Sequence, residues 1–221
     1  MSRSMKLHSW FFAALVVAAV GLVPRHAAAL RIVRTPIFGG NATLGVLGTS
    51  TWLAVQPPSG GTCTFFLVSN VAHLNDDLEV YGSEGSDWIQ VVRAPGTNAC
   101  GAWQPVNYDG HSVDIYGQGG ADVIIGGPDI DYIHGGSGDD LIYGNWIAAF
   151  VDGNDGNDYI YGYGAPFDSL SGGNGNDHLC EHSQYLVLAE YGGAGTNTRC
   201  GSAVYMDNTL TKNCSICGSG Y

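Results

Sequence analysis

Through the second half of the chain aliphatic residues stand nine apart, at Ile124, Ile133, Ile142, Val151 and Ile160. After one inserted residue the series continues at Leu170, Leu179 and Leu188. This spacing predicts three-residue strands joined by six-residue turns, so that two repeats complete one flattened coil of eighteen residues. The same clock runs earlier, at Val71, Val80 and Ile89 and again at Val106 and Ile115, with insertions near residues 90 to 105 resetting its phase. The predicted fold is all-β: a parallel β-roll, or β-solenoid, with an N-terminal β cap and ends pinned by disulfides. Its expected divisions are 1–29, a signal peptide; 30–70, the cap; 71–116, degenerate coils with an inserted loop; 117–199, the regular roll; and 200–221, a C-terminal cap.

In each strand the aliphatic residue points inward and its neighbours point out. One sheet then displays Val123, Ile125, Leu141, Tyr143, Tyr159 and Tyr161, and the other Tyr132, His134, Phe150, Asp152, Ser169 and Ser171. The first face is too apolar to stay wet. Either the stretches Thr51 to Val55 and Cys63 to Val68 cover it, or it binds a partner.

Between the strands the wording is Gly-x-x-Gly-x-Asp. Copies run from Gly117 to Asp122, Gly135 to Asp140, Gly153 to Asp158 and Gly172 to Asp177, with a separate copy from Gly82 to Asp87. Over residues 117 to 197 the sequence resembles the RTX family of calcium-binding nonapeptide repeats. The resemblance implies a β-roll whose turns bind Ca2+ through the aspartate at position six and through backbone carbonyls.

Stacking coils about 4.8 Å apart sets equivalent aspartates one above another. Two unit charges at that distance repel by about 3–4 kcal/mol at an effective dielectric near 20, so the ladder needs a cation to fold around. Successive repeats alternate between the two edges of the roll. One edge carries Asp122, Asp140, Asp158, Asp177 and then Asn197; the other carries Asp131, Ala149 and Asp168. Ala149 has no carboxylate to offer. Calcium is therefore expected mainly on the first edge, in the intervals from Asp122 to Asp177, with Asn197, Asp131, Asp168 and the upstream Asp87 as further candidate ligands. Packing around Trp146 and Phe167 is expected to hold the second edge.

Composition adds to this picture. The 34 glycines and the 13% of charged residues suit many tight turns rather than helices. Arg3 and Lys6, an apolar run from Trp10 to Val20 and the small residues Ala27 to Ala29 form a secretory signal, which predicts a mature start at Leu30 and an extracellular location. The apolar run is shorter than the ~20 residues that span a bilayer. RTX proteins are commonly exported by a C-terminal signal, so the N-terminal one is a departure from the family pattern. Of the eight basic residues only five lie beyond residue 29, against 20 acids, and no Lys or Arg stands between Arg93 and Arg199. That balance disfavours nucleic acid and favours a metal ion as counter-charge.

Six cysteines suit an oxidising compartment. The expected pairs are Cys63 with Cys100 and Cys180 with Cys200, leaving the Cys214–Cys217 tail motif as a third structural bridge rather than a zinc or redox site. His178 and His182, around Cys180 and Glu181, fall on outward strand positions, which favours surface residues over a transition-metal site. His73 and His111 are isolated.

Neither the H-E-x-x-H of zinc proteases nor the G-x-S-x-G of esterases occurs. A polysaccharide-cleaving site on the roll would need a basic residue near its carboxylates, and the basic gap argues against one. Outward ranks of threonine, as an ice-binding roll requires, are missing apart from Thr196 and Thr198. The expected function is that of a secreted, calcium-folded structural or adhesive protein whose partner is a cell-surface polymer, another protein or a second copy. The alternatives are a calcium-dependent extracellular enzyme acting on polysaccharide and a self-assembling filament subunit.

Overall fold

The computed structural model describes residues 31–34, 40–48, 50–57, 59–69, 78–105, 112–128, 130–144, 148–162, 169–181, 187–201, 203–206, 210–213 and 217. The signal segment, His73, His111, Trp146, Phe167, Asp168 and His182 lie outside them. Every element among the described residues is a strand. None is a helix long and apolar enough to cross a membrane.

The chain begins with β1 (Arg31–Arg34) and β2 (Asn41–Leu47), then β3 (Ser50–Gln56) and β4 (Thr64–Ser69). It continues through β5 (Leu78–Tyr81) and β6 (Trp88–Val91) to a small hairpin, β7 (Gly96–Asn98) and β8 (Gly101–Trp103). The regular coils follow as β9 (Val113–Gly119), β10 (Val123–Ile125), β11 (Ile130–Ser137), β12 (Leu141–Tyr143), β13 (Ala148–Asp155) and β14 (Tyr159–Tyr161). The last are β15 (Ser169–Ser171), β16 (His178–Cys180), β17 (Val187–Tyr191), β18 (Asn197–Cys200), β19 (Ala203–Met206) and β20 (Leu210–Lys212). Alternate strands go to opposite sheets. One sheet has the order β1-β5-β9-β11-β13-β15-β17-β19; the other runs β20-β18-β16-β14-β12-β10-β6-β2-β3-β4. Pairing is parallel except within the β2–β3–β4 meander and the β7–β8 hairpin. The strands thus wind as a β-roll, and the winding starts at β1 and β2, one coil earlier than the nine-residue clock is audible.

The clock positions from Val80 to Leu179 among the described residues are the core, while Val71 and Val106 lie outside those residues. Val80, Ile115, Ile133, Val151 and Leu170 stack inside one sheet, and Ile89, Ile124, Ile142, Ile160 and Leu179 inside the other, all buried in one apolar cluster. Each such side chain contributes about 1.5–3 kcal/mol on burial, which is why three-residue strands suffice. Outside, the coil repeat stacks aromatic rings: Tyr81 on Tyr116, Tyr116 on His134, Tyr132 on Phe150 and Tyr143 on Tyr161, with centroids 4.7–5.0 Å apart.

The coil after Leu170 corrects the predicted phase. Leu170 pairs with Glu190 and Leu179 with Arg199, so this coil is twenty residues long and the residue in register with Leu170 is Glu190 rather than Leu188. At this coil the apolar column is interrupted by charge: Glu190 is fully buried, with an Arg199 guanidinium nitrogen 3.5 Å from its carboxylate. Burial pushes the Glu190 carboxyl up to about 7 although Arg199 pulls it down.

Two expectations about the ends also change. Residues Thr51 to Val55 and Thr64 to Val68 do not cover the apolar outer face. They extend the same sheet beyond β2, where the antiparallel meander gives β2 and β3 backbone partners that a covering segment could not. Cys63 does pair with Cys100, but Cys180 pairs with Cys217 rather than Cys200, and Cys217 therefore does not bond Cys214. Cys180 and Cys200 sit side by side on paired parallel strands, where side chains run parallel and one strand spacing apart, farther than the roughly 3.8 Å between Cβ atoms that a disulfide needs. Cys200 is also disulfide-bonded, to a partner outside the described residues.

The β7–β8 hairpin lies over the outer face of β2 and β3. There Ala54, Val92 and Trp103 form a second small core. A side chain at Gly45 would come within 2.7 Å of Val92 and 2.9 Å of Trp103, so glycine is required for the hairpin to sit this close.

A candidate metal edge

The turns of one edge place six residues in register: Asp87, Asp122, Asp140, Asp158, Asp177 and Asn197. All are buried. Each uses its Oδ1 to accept the backbone N–H of its counterpart in the preceding coil. Asp87 N donates to Asp122, Asp122 N to Asp140, Asp140 N to Asp158, Asp158 N to Asp177 and Asp177 N to Asn197, at 2.7–2.9 Å. Gly40 N donates to Asp87 in the same way. The aspartates are thus fixed as structural couplers between coils before any metal is considered.

The second oxygen separates them. Oδ2 of Asp122, Asp140, Asp158 and Asp177 is buried and accepts no hydrogen bond. At Asp87 the same atom accepts from Ser83 N and Ser83 Oγ, at 2.6 and 2.8 Å. At Asn197 the position is a neutral amide. A buried carboxylate oxygen with no donor is costly, about 1–3 kcal/mol or more for a charged group. Burial accordingly drives Asp122 up to about 8, Asp158 to about 7 and Asp140 to about 6, with neighbouring carboxylates adding to the rise and the backbone N–H donors opposing it; Asp177 is raised as well.

The glycines explain what the orphaned oxygens face. A Cβ on Gly117 would lie 2.4 Å from Asp122 Oδ2 and 2.3 Å from the Gly135 carbonyl. On Gly135 it would meet Asp140 Oδ2 at 2.3 Å and the Gly153 carbonyl at 2.7 Å, and on Gly153 Asp158 Oδ2 at 2.2 Å and the Gly172 carbonyl at 2.5 Å. Three times over, then, a carboxylate oxygen and a carbonyl of the next coil converge on a space that any side chain would fill. The glycine at the fourth position of each turn serves the backbone: Gly138 and Gly156 have φ of 124° and 148°, and a Cβ on either would strike the carbonyl of the coil before it. On the solvent side a second ladder runs from Asp139 through Asn157 and Asn176 to Thr196, each accepting the next backbone N–H.

No group of three or more His, Cys, Asp or Glu converges among the described residues. The donor set of this edge is single carboxylates supplemented by backbone carbonyls, all hard oxygens. Such a set suits calcium rather than zinc or copper, which take imidazole and thiolate. His178 points outward, against Tyr159, and hydrogen-bonds Thr198.

The comparison with protein families agrees with this chemistry. The profile of the RTX calcium-binding nonapeptide repeat matches in four copies, over residues 116–146, 150–165 and 167–180. These segments are RTX calcium-binding repeats. No curated protein and no solved structure matches the chain. The RTX segment includes the turns of Asp122, Asp140, Asp158 and Asp177, whereas Asp87 and Asn197 lie outside it and continue the hydrogen-bond ladder alone.

The other edge is built differently. Asp131 is buried beneath the turn and accepts the Gly127 N–H, and Ala149 follows it in register. Asp168, Trp146 and Phe167 fall outside the described residues. A residue not foreseen as part of this edge is Arg93. Its Nε donates to the Gly126 carbonyl at 2.7 Å, and one terminal nitrogen donates to the carbonyls of Tyr143 at 3.0 Å and of Gly144. A guanidinium thus sits on converging carbonyls of two successive RTX turns. The available signal was Arg93's place as the last basic residue before the long acidic stretch.

Proposed function

We propose that this calcium-binding β-roll is a secreted protein that folds on calcium and acts outside the cell as a structural or adhesive scaffold. Calcium would be held between coils of the aspartate edge by Oδ2 of Asp122, Asp140, Asp158 and Asp177 with the carbonyls of Gly135, Gly153 and Gly172. The four buried carboxylate oxygens without a hydrogen-bond donor carry this reading: each is costly until a cation arrives, and three already face a carbonyl of the next coil. Asp87 stands apart because Ser83 already satisfies it, and Asn197 ends the series as a neutral amide. Asp131 contributes to its own turn instead. The signal-like first 29 residues and the disulfides support an extracellular setting.

A site filled at a hundred times its dissociation constant stabilises the fold by about 2.7 kcal/mol, so three independent sites contribute about 8 kcal/mol. This is comparable with the 5–15 kcal/mol total stability of an ordinary domain. Calcium titration of the chelated protein, followed by far-UV circular dichroism, tests the reading. A β signal that rises cooperatively with calcium is expected, and one indifferent to chelation would refute calcium-dependent folding.

A further inference from the structure

Beside the β7–β8 hairpin the outer face of the longer sheet holds a cleft of about 330 Å³ lined by Asn41, Thr43, Gln56, Trp88, Gln90 and Asn98. The strand register builds it. Gln56, Asn41 and Trp88 form one row across β3, β2 and β6, and Thr43 and Gln90 form the next. Trp88 is 43% exposed, a large aromatic left open at the centre of a sheet rather than at its rim. The hairpin wall is held in place. Asn98 donates to Thr43 Oγ1 at 3.0 Å and accepts from Trp103 Nε1 at 2.8 Å, and the Cys63–Cys100 disulfide anchors the hairpin beside it. Gln56 is fixed through its amide to the Gly61 carbonyl.

We propose that this cleft binds a neutral saccharide. The inference rests on the extracellular reading above but uses none of the calcium residues. An indole face takes up the C–H face of a sugar ring, and the amides of Asn41, Gln56 and Gln90 offer donors and acceptors together, as hydroxyl groups require. Among the described residues no charged side chain lines the cleft, and the chain carries a formal charge of -12, so a polyanionic sugar is repelled. A peptide strand is also excluded. Such a ligand is captured by unpaired backbone at a sheet edge, whereas β2 and β6 are both internal, with partners on either side. The row continues beyond Trp88 through Val123 and Leu141 to the exposed Tyr159, a track along which a polymer can extend.

Affinity electrophoresis of the calcium-loaded protein tests the proposal, in gels containing a neutral glucan, mannan or galactan, or polygalacturonate. Retardation by at least one neutral polymer is expected. Trp88→Ala should weaken it about tenfold or more, and Trp88→Tyr should restore binding to within about threefold of the parent. Circular dichroism of each variant in the same buffer shows whether the roll is intact. Folded protein that no neutral polymer retards, retardation by polygalacturonate alone, or retardation indifferent to Trp88→Ala would each overturn the saccharide site while leaving calcium binding standing. Failure to fold in calcium would overturn both.

Discussion

On the aspartate edge, carboxylates and carbonyls of successive coils converge with no protein cation among them. On the opposite edge, the carbonyls of Gly126, Tyr143 and Gly144 converge in a similar way and receive Arg93. On the proposed reading the same turn architecture meets its electrostatic demand from two sources, one borrowed from solution and the other carried in the chain. The difference teaches where control can lie. An edge closed by an arginine is closed whenever the protein is folded, whereas the aspartate edge, if calcium closes it as proposed, would follow the calcium concentration.

The comparison breaks first under chelation. Removing calcium should cost the roll about 8 kcal/mol, enough to abolish the cooperative thermal transition of the RTX coils in calorimetry, while the Arg93 contacts alone fail to hold them. Arg93→Met is the next largest test. It keeps the apolar stem but takes the Arg93 donor from the carbonyls of Gly126 and Gly144 and leaves Tyr143 with the Gly126 N–H alone, and about 2–4 kcal/mol should be lost in urea unfolding with calcium present, at little change in the calcium midpoint. A shifted calcium midpoint would show that the two edges are not separate devices.

A finer test contrasts two aspartates of one ladder. Asp140→Asn retains the acceptor for Asp122 N but discharges the orphaned oxygen, and should raise the calcium midpoint about tenfold. Asp87→Asn should move that midpoint less than about twofold, with its cost appearing as about 1–3 kcal/mol of stability through the lost Ser83 bonds. Isothermal titration and urea unfolding separate the two.

The calcium-free chain is tested separately, through pH. The Asp122, Asp140 and Asp158 carboxyls are raised to about 8, 6 and 7, so the folded state holds protons that the unfolded state releases near pH 4. Their stabilisation is complete below the unfolded value and is lost as pH climbs through the folded ones. Calcium-free protein should show more β signal at pH 5 than at pH 8.5. Calcium reverses the trend, because it binds only the ionised groups.

The regular part of this molecule was legible because its physics is local and periodic. Ile124 through Leu179 announce the core, and the glycine turns announce the aspartate ladder. Legibility failed where the chain departs from the period. The coil lengthened to twenty residues put Glu190 rather than Leu188 in register with Leu170, and no aliphatic count can register a core position filled by a charge. Arg93 escaped because its partners are carbonyls, which every residue possesses and no sequence advertises. The disulfides depended on depth as well as proximity. Cys180 and Cys200 are neighbours across paired strands, yet the bond goes to Cys217. The two oxygens of Asp87 and of Asp140 differ through Ser83, a serine where the regular turns carry a residue of positive φ such as Gly136.

The pair of buried Glu190 and half-buried Arg199 also bears on how such a molecule can lengthen. Copying the coil around Asp140 adds isoleucines to isoleucines and another step to the ladder, so duplications there are compatible with the stack on both sides. Copying the coil of Glu190 and Arg199 would set a second acid and base against the first inside the apolar column, each needing its own partner and its own desolvation. The pair therefore makes its own coil hard to copy. New coils can be inherited or engineered more easily among the isoleucine coils upstream of it, while the single coil of β19 and β20 stacks beyond it.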